Sequence, residues 1–87
     1  MNANAILQLI HECNKVRDRF WIAHFKGCPG EVSTFTSKLV GWNVQRPDPV
    51  EGQPDEGQRT VCVTFPPDDD ETLAQAASEA KVICVKP

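Results

Sequence analysis

Phe20, Trp21, Ile22, Ala23, His24 and Phe25 present no polar face on a helical wheel, and they close a segment whose earlier apolar residues recur at helical spacing. Such a stretch must be covered on more than one side. A chain of 87 residues has little material for this, since a domain near this size buries only about 60 to 65% of the surface its unfolded chain exposes.

From Asn4 to Lys26, Ile6, Ile10, Cys13, Phe20 and His24 fall at three- and four-residue steps and their multiples, with Leu9 and Val16 widening the stripe. The spacing predicts one long helix, capped by Asn2 or Asn4, ended by Gly27 and blocked from continuing by Pro29. Leu7, Trp21 and Phe25 form a second strip about 90° from the first, and Arg17 lies awkwardly inside the first stripe.

Residues 31 to 39 fit either a helix or a strand. Val40, Trp42 and Val44 alternate with Gly41 and Asn43, which predicts a strand over 38–45, with Gly41 at a bulge or a close backbone approach. Residues 46 to 58 hold three prolines, two glycines and the acids Asp48, Glu51, Asp55 and Glu56 without apolar period, and read as a mobile acidic loop. Val61, Val63 and Phe65 mark a strand over 59–65. Asp68 and Glu71 have capping-box spacing ahead of a second helix that buries Leu73, Ala76, Ala77 and Ala80. A last strand follows over 82–85.

The order α-β-β-α-β predicts a single α+β domain over 1–87, a three-stranded mixed sheet with two helices packed on it. The strands at 59–65 and 82–85 should be parallel through a right-handed crossover, and the first two antiparallel. Compared with a ferredoxin-like arrangement, a first strand is missing, and neighbouring strands or a second copy of the chain would close its slot.

Composition excludes several classes. Hydrophobic residues at 40% and charged residues at 24% are those of a globular chain. The first apolar run, Ala5 to Leu7, is too short for a signal peptide or a membrane span, so the chain reads as cytoplasmic with its four cysteines reduced. Cys62 and Cys84, each between aliphatic neighbours, read as small apolar strand residues.

His24 and Cys28 are four apart, yet Cys13 would lie about 16 Å away along one helix and no C-x-x-C pair exists, so no metal and no cofactor are expected. Cys28, placed after a helix C-terminus, lacks the positive potential that activates a thiol. Lys15, Arg17, Arg19 and Lys26 are interrupted by Glu12 and Asp18 in a chain of net charge −3, which argues against direct nucleic-acid binding.

The charge is unevenly spread: residues 1–46 carry a net +3 and residues 47–87 a net −6. With the aromatic strip, this predicts a non-enzymatic protein-binding module that grips a partner through Trp21 and Phe25. Asp55, Glu56, Asp68, Asp69 and Asp70 would face a basic surface. One form of such a module is a stand-alone inhibitor, for example from a mobile genetic element, that occludes the basic surface of a nucleic-acid-handling protein. The alternatives are a homodimeric structural or regulatory domain, and a small thiol- or metal-dependent enzyme.

Overall fold

The computed structural model describes residues 1–46 and 57–86, and these form an α+β domain. Its elements are α1 (Ala3–Cys13), β1 (Trp21–Gly27), α2 (Pro29–Lys38), β2 (Asn43–Gln45), β3 (Arg59–Phe65), a 3-10 turn (Pro67–Asp69), α3 (Asp70–Ala80) and β4 (Ile83–Val85). The sheet order is β2-β3-β1-β4, and every neighbouring pair is antiparallel. The class agrees with the sequence reading; the count does not, with four strands for three and three helices for two.

The difference arises at one place. The expected long helix stops at Cys13, and its apolar end is instead the central strand β1. Trp21, Ala23 and Phe25 turn toward the helices, while Ile22, His24 and Lys26 turn to the other face, so a run without a polar helical face is here a strand with two partly covered faces. Val16, assigned to the helical stripe, is 97% exposed. The slot of the missing first strand is thereby filled by the chain itself. From β1 onward the elements follow β-α-β-β-α-β, the split βαβ arrangement, preceded by α1. The strands β3 and β4 run in the same direction, as a crossover requires, but β1 lies between them, so the parallel pairing expected of them is absent.

Residues 31 to 39 belong to α2 and the C-cap that follows it, Leu39. The strand expected over 38–45 shortens to β2: Val40 is 86% exposed and Gly41, at φ +90°, makes a turn and not a bulge. The strand at 59–65 has the expected bounds, and β2 and β3 are antiparallel as expected. Of the expected mobile loop over 46–58, residues 47–56 lie outside the described residues, Asp55 and Glu56 among them.

All three helices cover one face of the sheet. Ile6 and Ile10 from α1, Val32 and Phe35 from α2, and Leu73, Ala74, Ala77 and Ala80 from α3 meet Ala23, Phe25, Val61, Val63, Phe65 and Cys84 in one core. The alanines let α3 lie close to α1 and α2, which suits a thin core. Asn2 caps α1 by accepting the Ala5 N–H at 2.8 Å, as its position suggests.

Candidate functional site

The segment between α1 and β1 is tied down by its own polar groups. The side-chain oxygen of Asn14 accepts the Ile22 N–H at 2.9 Å, and its amide nitrogen donates to the carbonyls of Ile22 at 2.9 Å and Ile10 at 2.7 Å. Asn14 is the one buried polar residue of the described chain, at 1% exposure. The Arg17 N–H donates to the Asn14 carbonyl, and the Trp21 indole N–H donates to the Arg17 carbonyl at 3.0 Å. No motif distinguishes Asn14 in the sequence, where it stands between a helical period and a run of charges.

This anchoring fixes Trp21 at the helix-covered side, half-buried. Its ring meets His11 edge-on at 5.1 Å and Phe65 at 6.4 Å, while Trp42 stands 6.5 Å from the opposite flank of Phe65. His11 Nε2 lies 2.7 Å from Asp70 Oδ2, so the histidine joins the indole to the acidic start of α3. Trp21 and Asp70, named separately from sequence, thus belong to one corner of the molecule. Asp68 lies exposed and Asp69 half-buried beside them in the 3-10 turn.

Phe25 does not belong to that corner. Its exposure is 0% and its ring packs at 4.8 Å on Phe35, so a residue expected at a partner surface is core, because alternation along β1 turns it inward beneath α2. The capping box expected of Asp68 and Glu71 is also replaced. The N-cap of α3 is Asp69, which makes no side-chain cap bond, and the Glu71 N–H donates instead to Asp70 Oδ1 at 2.7 Å.

Cys28 does not follow a helix C-terminus; it is the N-cap of α2. Its N–H donates to Glu31 Oε1 at 3.2 Å, and these bonds to Cys28 hold the Glu31 carboxyl below the usual carboxylate range. His24 lies in β1 and shares no helical face with Cys28. Among the described residues no three His, Cys, Asp or Glu side chains are grouped to hold a metal, and no helix is long and apolar enough to cross a membrane.

The other face of the sheet carries three cross-strand rows: Asn43, Thr64 and Ile22; Gln45, Cys62, His24 and Val85; Thr60, Lys26 and Ile83. Its members are half-buried or exposed, and none of the described helices lies over them. No strand among the described residues contains an acid. No protein family, curated protein or solved structure matches the chain.

Proposed function

We propose that this chain is a non-enzymatic protein-binding domain that engages a basic surface of its partner through Trp21 and the acids Asp68, Asp69 and Asp70. The observation that carries the reading is the double contact of His11, which ties a half-buried tryptophan and a carboxylate into one fixed corner. Tryptophans held in a single orientation are frequent anchors of interfaces, because little side-chain freedom remains to be lost on binding. Acids around such an anchor select a basic partner and speed the encounter. An inhibitor that covers the nucleic-acid-binding surface of another protein is one form this activity would take.

Immobilised wild type and a D68K/D69K variant, each incubated with host extract and read by mass spectrometry at low and high salt, test the reading. The expected result is a protein retained by wild type at low salt and lost both at high salt and from the variant. Equal retention of the same proteins by the variant refutes it.

A further inference from the structure

We propose that the uncovered sheet face is a second binding surface, independent of the acidic corner, and that its occupant is single-stranded nucleic acid. The charge is sorted by the fold. Every acid of the described residues lies outside the strands, and Asp68 to Glu71 begin a helix on the covered side, whereas the strands of the open face carry His24 and Lys26 and, among the described residues, no carboxylate. Lys15, Arg17 and Arg19 stand exposed in the segment that feeds β1, with Asp18 as the one acid among them. None of these four cations forms an ion pair among the described residues. The net charge of the chain, which argued against a polyanion, therefore misdescribes the strands of the open face, where Lys26 stands without an acid among the described residues.

The same side offers surfaces on which bases can stack. Phe20 is 62% exposed directly before β1, and the strand's alternation continued one residue back assigns it to this face, two residues from Ile22 and four from the half-exposed His24. An aromatic ring, an imidazole and the Lys26 ammonium among uncharged neighbours offer a single strand π-faces for bases and a cation for phosphate. A second copy of the chain is the lesser fit. Four strands about 4.8 Å apart, two of them only three residues long, present a patch of roughly 400 Å², about half of what each partner buries in a stable dimer.

The test is fluorescence anisotropy of the whole chain with labelled twelve-nucleotide oligothymidylate and oligouridylate, alongside vesicles containing phosphatidylserine. Saturable binding is expected at 50 mM salt, weakening about 20- to 50-fold at 200 mM if three to four cations meet phosphates. Phe20→Ala should weaken it about tenfold through lost stacking, and Lys26→Glu by a similar factor, with unchanged circular dichroism. The proposal is overturned by the absence of saturable binding at 50 mM salt, by binding indifferent to both substitutions, or by capture on the vesicles without binding to either oligonucleotide.

Discussion

Asn14 holds both peptide groups of Ile22, accepting its N–H and donating to its carbonyl, each at 2.9 Å. It does for the margin of β1 what a neighbouring strand would do, since β4 pairs with β1 only at His24, Phe25 and Lys26. One side chain thereby ends α1, through Ile10, and starts the sheet.

Replacing Asn14 by Ala leaves buried backbone groups without partners, so a loss of about 3 kcal/mol is expected, read as a lower denaturation midpoint with an unchanged slope. Asn14→Asp should be worse at neutral pH, because a carboxylate would face the carbonyls of Ile10 and Ile22. Burial beside those dipoles raises the folded-state pKa of the new acid, so this variant should gain stability as pH falls and the carboxyl is protonated. Stability of the Asn14→Asp variant equal to that of wild type at pH 7 would contradict the bonding described.

Phe25 and Trp21, equal members of one strip in sequence, should separate cleanly on mutation. Phe25→Ala opens the centre of the core against Phe35 and should cost about 3 to 5 kcal/mol. Trp21→Phe keeps an aromatic ring and loses the bond to the Arg17 carbonyl, for about 1 kcal/mol. Urea unfolding of the two variants distinguishes the roles; similar losses would place both rings in the same environment.

How much of this was legible follows from those residues. β3 and α3 were plain because their inward positions, Val61, Val63, Phe65, Leu73 and Ala77, keep one period without interruption. β1 was obscured because its inward side includes the small Ala23 and its outward side the apolar Ile22, so period two carries little contrast and a helical period fits nearly as well. The warning lay in Arg17 and Val16, which a continuous helix would bury and which the fold exposes. The Trp21 and Asp70 corner was half visible: both residues could be named, but the histidine joining them comes from α1, and no local pattern announces a contact between elements so far apart in the chain.

Two glycines should respond oppositely to alanine. A Cβ on Gly27 would stand 3.0 Å from Val82 Cγ1 and 3.3 Å from Glu31 Oε1, disturbing both the core margin and the carboxylate that holds the Cys28 N–H. A loss of about 1 to 3 kcal/mol is expected. Gly30, in the first turn of α2, has nothing within 4 Å of the added carbon, so Gly30→Ala should stabilise by about 0.5 kcal/mol through helix propensity. Thermal midpoints moving in the same direction would contradict the packing around Gly27.

The four cysteines should differ in reactivity by their burial. Cys28 is exposed, Cys13 and Cys62 are partly covered, and Cys84 lies in the core, where burial, with Cys13 nearby, pushes its thiol up to about 11 from an ordinary 9.0. Burial pushes Cys62 up as well. Alkylation of the native protein at pH 8, mapped by peptide mass, should mark Cys28 first and Cys84 last. The shift at Cys84 also sets a pH dependence. Above pH 9 the unfolded chain releases this proton while the folded chain keeps it to about 11, so the unfolded state binds fewer protons and stability falls with pH across that window. The loss should reach about 2 kcal/mol and should be missing from Cys84→Ala, which carries no titrating group at that position. Parallel alkaline unfolding of wild type and this variant, compared between pH 8 and 10.5, isolates the thiol from the lysines that titrate in both. If their difference does not change with pH, Cys84 is not held protonated by the fold.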